Sequence, residues 1–320
     1  EIDILSGGPQ AKNLKCPPPL VAFQNVIVRS SSTTTNNNTQ LIPNIMHLSF
    51  KSRCLPQDLF TILEQWRTKL PNHSIFFYDD DAIERLLQQE WLEFPGLHRA
   101  MKCVRYRGAM TVDVWRILIL YKYGGIYSDI DVSPVMDGSF TERSIRSDLS
   151  AFFMEDPWKR PSQWWIAVEP RHPMMYLTMF QIIENLFQME NIRVPRVVFV
   201  TGPHAQKIGW DHFLGMGPQK YDNKYKGDFE YEGGYGKIVL KTRTKFVGQK
   251  VGYGDIVTLY NSTKQVTRRK RIERESGTIH FTAARAAQQK NSSGNILAFS
   301  CRKYLEKLEN GSMEEIDYYY

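Results

Sequence analysis

The sequence predicts an α/β fold, and two observations support that prediction. Short apolar segments alternate with segments of helical periodicity from residue 42 onward, and a long apolar helix followed by another strand is predicted at residues 109–132. Strands that alternate with helices are typical of a sheet covered by helices. We therefore expect an α/β sheet covered by helices.

The first half of this sheet is predicted between residues 42 and 87. Residues 42–48 form a short apolar run typical of a buried strand, and residues 57–70 carry apolar side chains at the spacing of one helix face. Residues 74–78 predict a second strand. The three aspartates at 79–81 then predict the capped start of a second helix.

A strongly apolar helix is predicted at residues 109–123, and Gly124 and Gly125 end it because glycine readily adopts the left-handed cap. Asp113 and Arg116 interrupt its apolar surface and share one face, since they lie three positions apart. A buried charge is costly unless it is paired or bound. The two residues therefore form either an internal ion pair or a polar patch that faces a ligand.

Two aspartates follow in the segment 126–132, which we predict to be a strand. Alternation places Tyr127, Asp129 and Asp131 on one side of it. Two ionised carboxylates at this spacing repel each other, and a hard divalent cation such as Mg²⁺ or Mn²⁺ relieves the repulsion. Such an ion keeps coordination positions for phosphates, so a nucleotide-sugar diphosphate fits the site.

The order of these features resembles a known family. Asp113, Arg116, Gly124-Gly125, Tyr127 and the Asp129-x-Asp131 pair occur at the spacing found in DXD-containing glycosyltransferase family 32, of the yeast initiation-specific α-1,6-mannosyltransferase type. Clostridial glucosylating toxins and animal α-1,4-glycosyltransferases share this core. Only Val112 departs from the pattern, where the family has Ser.

Further segments extend the resemblance to about residues 41–285. Residues 42–47 resemble the family's opening strand, and Phe50 stands where an aromatic residue stacks near the nucleotide base. Residues 164–173 resemble a segment that opens a helix, and residues 201–203 match a Thr-Gly-Pro turn. Residues 277–282 resemble a C-terminal motif whose histidine, here His280, completes the metal shell, although residues 283–285 depart from that motif.

The resemblance implies a GT-A fold, with a Rossmann-like mixed sheet flanked by helices. It also implies a metal-dependent, retaining hexosyltransferase that uses a nucleotide sugar. It assigns catalytic roles to Asp113, Arg116 and Asp131. It also assigns the binding of Mn²⁺ or Mg²⁺ to Asp129, Asp131 and His280. Donor contacts are implied for a larger set: His47, Phe50, Asp113, Arg116, Tyr127 and Asp129. GDP-mannose is the first expected donor, with UDP-galactose, UDP-glucose or UDP-GlcNAc as alternatives. The expected acceptor is a glycan, a glycolipid or a protein.

Two other functions remain open. A non-catalytic, secreted module that binds sugar nucleotides or glycans on a decayed GT-A scaffold would explain the altered residues 283–285. A haloacid-dehalogenase-like phosphatase also uses two aspartates after an apolar strand, but Ser133 departs from its motif. The net charge is +7, yet the chain lacks nucleic-acid-binding motifs, so we expect no nucleic-acid partner.

The polar composition of the N-terminal residues predicts a stem-like, disordered linker at residues 1–40, followed by a catalytic domain at 41–300 and a C-terminal tail at 301–320. We expect a membrane anchor N-terminal to this chain, as in a type II protein of the Golgi or another secretory lumen; a cytosolic or secreted protein is the alternative. Five N-x-[ST] triplets favour the lumen. Four cysteines permit two disulfides without requiring them.

Overall fold

The computed structural model describes most of the chain, and the description below is confined to that part. The described residues are 1–28, 40–104, 108–136, 145, 148–156, 158–192, 195–215, 229–241, 250–252, 257–260, 270–272, 274–275, 277 and 300–312.

The chain divides into two compact units. The first, here called the sheet unit, comprises residues 1–86, 119–172 and 221–278; the second, the helical unit, comprises residues 87–118, 173–220 and 279–320. All of the strands that the structure describes lie in the sheet unit. They are β1 (Val21–Ala22), β2 (Ile45–Ser49), β3 (Cys54–Leu55), β4 (Ser74–Tyr78), β5 (Gly125–Ser128), β6 (Ser133–Pro134), β7 (Leu149–Glu155), β8 (Pro161–Val168), β9 (Phe229–Gly233), β10 (Gly236–Lys241), β11 (Lys250–Gly252) and β12 (Val257–Tyr260).

The helices carry labels in the same chain order. They are α1 (Ile2–Leu5), α2 (Gly8–Ala11), α3 (Gln57–Lys69), α4 (Asp80–Leu87), α5 (Leu97–Met101), α6 (Ala109–Tyr123), α7 (Pro173–Phe187), α8 (Val197–Val200), α9 (Pro203–Phe213) and α10 (Cys301–Glu309). Within the described residues, no helix is long and apolar enough to cross a bilayer.

A seven-stranded mixed sheet forms the centre of the sheet unit, in the order β4-β2-β5-β8-β7-β10-β9. Strands β4, β2 and β5 are parallel, β8 runs antiparallel to both β5 and β7, and β10 is parallel to β7. The carboxyl ends of β4, β2, β5, β7 and β10 therefore share one edge of the sheet, here called the C-edge. The predicted fold class, a mixed α/β sheet with helices packed against it, is confirmed.

Helix α3 covers one face of this sheet. Its apolar stripe is buried against the strands through Leu59, Ile62, Leu63 and Trp66. Trp66 also donates its indole N–H to the Val132 carbonyl at 2.8 Å, which fixes the chain just after the aspartate pair. The predicted helix at 57–70 and strand at 74–78 are found within one residue. Asp79 accepts the Ala82 N–H at 3.0 Å, so the predicted cap is also present.

The N-terminal segment differs from the prediction. Residues 1–28 are packed onto the sheet unit: Cys16 and Cys54 form a disulfide, and Val26 pairs with Ile75 at the edge of β4. Arg53, which is 4% exposed, donates to the carbonyls of Ser6 and Phe77. The prediction of a disordered linker is therefore wrong for residues 1–28, because contacts distant in sequence order this polar stretch. Residues 29–39 lie outside the described residues.

The helical unit contains α5, the first part of α6, and α7 to α10. Helices α7 and α9 pack together so closely that a Cβ on Gly209 would lie 2.5 Å from Thr178 Oγ1. A second disulfide joins Cys103 to Cys301, the first residue of α10. Residues 301–312, predicted to be a tail, therefore begin with an ordered helix that buries Cys301, Tyr304 and Leu305.

Candidate active site

The two glycines after α6 shape the start of β5. The Gly124 N–H donates to the Leu120 carbonyl at 2.8 Å and ends the helix, and Gly124 and Gly125 both adopt positive φ, 63° and 92°. A Cβ on Gly125 would lie 2.5 Å from the Ile45 carbonyl oxygen. Only glycine therefore allows the chain to reverse here and enter the sheet directly beside β2.

The aspartate pair lies in a turn at the C-edge. Strand β5 ends at Ser128, earlier than predicted, and the Val132 N–H donates to the Asp129 carbonyl at 3.0 Å. The prediction of one strand through residue 132 is therefore wrong. Strand β2 pairs with β5 only at Ile126 and Tyr127, so the ladder stops and the chain turns. The turn brings Asp129 and Asp131 to the edge where open α/β sheets bind ligands.

Asp129 is held by contacts to the sheet. Its N–H donates to the Trp164 carbonyl of β8 at 2.8 Å, and the buried Tyr127 donates its hydroxyl to Asp129 Oδ1 at 2.7 Å. Asp129 and Asp131 both remain partly exposed, whereas every residue of β5 is buried. The turn therefore presents two carboxylates to the surface, one of them with a fixed orientation.

These two side chains fit a hard divalent cation. Mg²⁺ and Mn²⁺ prefer oxygen ligands, and Mg²⁺ is commonly held by one or two carboxylates together with water and substrate phosphates. The described residues contain no group of three histidine, cysteine or acidic side chains placed to hold a metal. His280, the predicted third ligand, lies outside the described residues.

Asp113 and Arg116 lie in the helical unit, on the first part of α6, and both are buried. Arg116 Nη2 lies 3.3 Å from Asp113 Oδ1, and the Thr201 hydroxyl donates to Asp113 Oδ2 at 2.9 Å. The internal ion pair left open by the sequence is thus present. The sequence shows Thr201 only as part of a Thr-Gly-Pro turn. Its contact with Asp113 indicates that the turn orients this carboxylate.

Another buried ion pair lies on α9 of the same unit. Lys207 contacts Asp211 one helical turn away, and both side chains are almost fully buried. Burial raises the pKa of Asp211, and Lys207 opposes that effect. Sequence reasoning gave this pair no role, because a lysine and an aspartate four positions apart are common on exposed helices.

His47, a predicted donor contact, is fully buried in β2. Its Nε2 bonds the Gly124 carbonyl at 2.9 Å, and its Nδ1 lies 3.2 Å from the Tyr78 hydroxyl. Because a carbonyl only accepts, the Nε2 atom carries the proton and Nδ1 accepts from Tyr78. Both ring nitrogens are thus used within the protein, and His47 positions the Gly124 turn. Phe50 follows β2 at the C-edge, partly buried against the core.

Acid is expected to destabilise the protein through His47. Burial lowers the pKa of His47 to about 4 and that of His172 likewise to about 4. In the unfolded chain each histidine takes up a proton near its ordinary pKa of about 6.5. The stability that comes from keeping the histidine neutral is therefore fully present above that pH and is lost as the pH falls toward 4. We expect the free energy of unfolding to drop by about 2 kcal/mol per histidine between pH 7 and pH 5. Urea titrations at pH 7 and at pH 5 measure this difference in the free energy of unfolding.

The variant His47→Gln provides the comparison. It is expected to lose stability at pH 7, because the glutamine cannot reproduce both hydrogen bonds, but to show a smaller further loss at pH 5. An equal loss on acidification in the variant and the wild type would contradict the assignment to His47.

Comparison with known proteins gives a family match around the aspartate turn. Residues 56–149 match the family described as "Glycosyltransferase sugar-binding region containing DXD motif". This segment includes α3, the glycine turn and both aspartates. Over these residues the chain is similar to the DXD-containing glycosyltransferases. The resemblance inferred from the motif is confirmed.

Similar curated proteins include three yeast mannosyltransferases. Mannosyl phosphorylinositol ceramide synthase CSH1 of Saccharomyces cerevisiae is 24% identical over 174 residues, with 54% of this chain and 44% of that protein covered. Initiation-specific alpha-1,6-mannosyltransferase of Candida albicans is 25% identical, with 38% of this chain and 37% of that protein covered. Inositol phosphoceramide mannosyltransferase 3 of Schizosaccharomyces pombe is 24% identical, with 60% of this chain and 55% of that protein covered. The chain thus spans about half the length of these relatives or less.

Among solved structures, the PaToxG glycosyltransferase matches 54% of this chain and 70% of its own, at 18% identity. The TM-score of 0.40 is too low to support an argument about the fold or the site.

Proposed function

We propose that this protein is a metal-dependent, retaining glycosyltransferase that transfers a hexose from a nucleotide diphosphate sugar. The observation that carries the proposal is the placement of Asp129 and Asp131, within the matched DXD segment, in a turn at the C-edge of the sheet. Ligands of open α/β sheets bind at that edge. Partly exposed carboxylates there are suited to a divalent cation and a diphosphate.

The residues have distinct proposed roles. Asp129 and Asp131 hold Mn²⁺ or Mg²⁺, which when bound neutralises the charge that develops on the nucleoside diphosphate. Tyr127 orients Asp129 through its hydroxyl and lines the donor pocket. Phe50 contacts the nucleotide base, and Asp113 and Arg116 contact sugar hydroxyls. His47 supports the site from within the core, and His280 as a third metal ligand remains part of the proposal.

Mannose is the first proposed sugar, with GDP-mannose as donor, because the three relatives described above are all named for mannosyl transfer. UDP-galactose, UDP-glucose and UDP-GlcNAc are the alternative donors. The acceptor is a glycan, glycolipid or protein. Two of those relatives are named for an inositol phosphoceramide acceptor, which supports including a glycolipid among the candidates.

A secretory, Golgi-type lumen is the proposed location. Cys16–Cys54 and Cys103–Cys301 are disulfides, and such bonds persist in oxidising compartments. The sequons support the same placement, and two of them, at Asn72 and Asn310, begin at exposed residues.

A donor-hydrolysis screen tests the function. The protein is incubated with GDP-mannose and each UDP-sugar, with Mn²⁺ or with a chelator, and release of nucleoside diphosphate is measured. Cleavage of one donor only with metal is the expected result. Turnover of phosphomonoesters instead would favour the phosphatase. Binding of GDP or UDP with Mn²⁺, without turnover even with acceptor glycans present, would favour the decayed binding module.

The role of Arg116 is tested by Arg116→Lys. Lysine keeps the charge beside Asp113 but loses the planar fork of donors that can bind sugar hydroxyls. We expect the KM for the donor to rise at least about tenfold, the equivalent of ~1.4 kcal/mol, with little change in melting temperature. The matched control is Arg99→Lys, which alters an exposed ion pair with Glu309 in the same unit. A lower melting temperature with an unchanged KM would leave Arg116 as a purely structural partner of Asp113.

A further inference from the structure

The connection between β7 and β8 is a tight hairpin organised by Asp156. This carboxylate is 3% exposed, and its Oδ1 accepts the N–H groups of Trp158 and Arg160, both at 2.8 Å. Its Oδ2 accepts from Arg160 Nε at 2.7 Å, and Arg160 Nη2 also lies 2.7 Å away. Lys159 adopts a positive φ of 60°, a strained conformation for a lysine. The backbone on both sides of Lys159 is therefore fixed by one buried charge.

This hairpin displays a tryptophan to solvent. Trp158 is 68% exposed, and the Arg160 guanidinium lies over its ring at 5.1 Å from the centroid. Because Arg160 is itself held by Asp156, the indole has a defined support on one face. Its exposed area is then available to a ligand. Exposing an indole forgoes the free energy of burying a large apolar side chain, so a supported and exposed tryptophan suggests a binding role.

The hairpin lies at the same edge of the sheet as the aspartate turn. Strand β8 begins where β7 ends, and Trp164 of β8 accepts the Asp129 N–H. Arg160 precedes Trp164 by four residues, a separation of about 13 Å along an extended chain. Because Trp158 precedes Arg160, it is expected to lie more than one sugar ring beyond Trp164, on the C-edge side of the aspartate turn.

We propose that Trp158 is an acceptor-binding residue whose exposed indole face stacks on a sugar ring of an acceptor glycan. A pyranose ring presents C–H groups on one face, and these carry partial positive charge that suits the negative face of an aromatic ring. Tryptophan supplies this contact area at low conformational-entropy cost, and the Asp156 contacts lower that cost further. The inference rests on the proposed glycosyltransferase function and adds to it the residue that selects the acceptor.

Kinetics with acceptor glycans test the inference. Transfer to linear mannose oligosaccharides of two to five units is measured for the wild type, Trp158→Ala and Trp158→Phe. We expect Trp158→Ala to raise the KM for the acceptor at least about tenfold while the KM for the donor stays the same, and Trp158→Phe to recover most of the affinity. The control is Tyr235→Ala, because Tyr235 is 61% exposed between β9 and β10, at the opposite edge of the sheet. An unchanged acceptor KM in Trp158→Ala overturns the inference.

A binding measurement separates this inference from the proposed function. Saturation-transfer NMR with mannopentaose requires no turnover, so it applies even if no donor is cleaved. Saturation transfer to mannopentaose from the wild type and from Tyr235→Ala, together with its loss in Trp158→Ala, supports the acceptor site. Absence of contact with the wild type, or equal contact in all three proteins, overturns it, whereas failure of the proposed function appears only in the donor screen.

Discussion

Replacing Asp131 with asparagine is expected to reduce metal-dependent donor cleavage by at least about a hundredfold while the fold is retained. Asparagine preserves the size of the side chain but removes the charge that a hard cation requires. A loss of this size corresponds to about 3 kcal/mol of transition-state stabilisation. The side chain is partly exposed in a surface turn, so the change should leave the melting temperature nearly unaffected.

Activity and thermal unfolding are measured together for this variant. The matched control is Asp148→Asn, because Asp148 is exposed and precedes β7 at the opposite edge of the sheet. Its activity should equal that of the wild type. Normal metal-dependent cleavage in Asp131→Asn would exclude Asp131 as a metal ligand, whatever the result for Asp148→Asn.

The largest expected loss of stability follows from Gly125→Ala. Gly125 has a φ of 92°, and an added Cβ would lie 2.5 Å from the Ile45 carbonyl oxygen, a backbone atom of the neighbouring strand. Backbone strain of this kind costs about 1–3 kcal/mol, and overpacking adds about 1–3 kcal/mol more. We expect the free energy of unfolding to fall by roughly 2–6 kcal/mol in urea titrations.

Gly234→Ala is the control for this change. Gly234 lies in the turn between β9 and β10, has no positive φ, and an added Cβ there would meet no atom within 4 Å. Its stability should stay within about 0.5 kcal/mol of the wild type. A similar small effect in Gly125→Ala would mean that the chain can shift at the start of β5 without cost.

Local sequence patterns predicted helices α3 and α6 and their boundaries well. The helical spacing at residues 57–70 and the glycines after residue 123 set the bounds of α3 and α6, because periodicity and capping depend on near neighbours. The end of β5 could not be predicted in this way. Alternation continues to Val132, but the strand ends at Ser128, one residue after its last pairing with β2 and at its last pairing with β8.

Contacts between distant residues account for the other differences. The polar N-terminal segment is ordered by a disulfide to Cys54 and by Arg53, neither of which its composition reveals. The aspartate pair has a local sequence motif, whereas the hydrogen bond between Thr201 and Asp113 joins residues 88 positions apart and has no local signature. The proposed role of Trp158 likewise depends on the structure, because it rests on Arg160, held by Asp156, and on the position of the hairpin at the C-edge.

The bond between Cys103 and Cys301 has a consequence for biosynthesis. It closes a span of 198 residues, against 38 for the bond between Cys16 and Cys54, and two segments of the sheet unit lie within the longer span. Closing the longer loop restricts the unfolded chain by about 1.5 kcal/mol more. A growing polypeptide lacks Cys301 until almost all of this chain has left the ribosome. Oxidation of this pair therefore follows synthesis of the sheet, and a cell that stops translation before residue 301 makes a protein in which Cys103 has no partner.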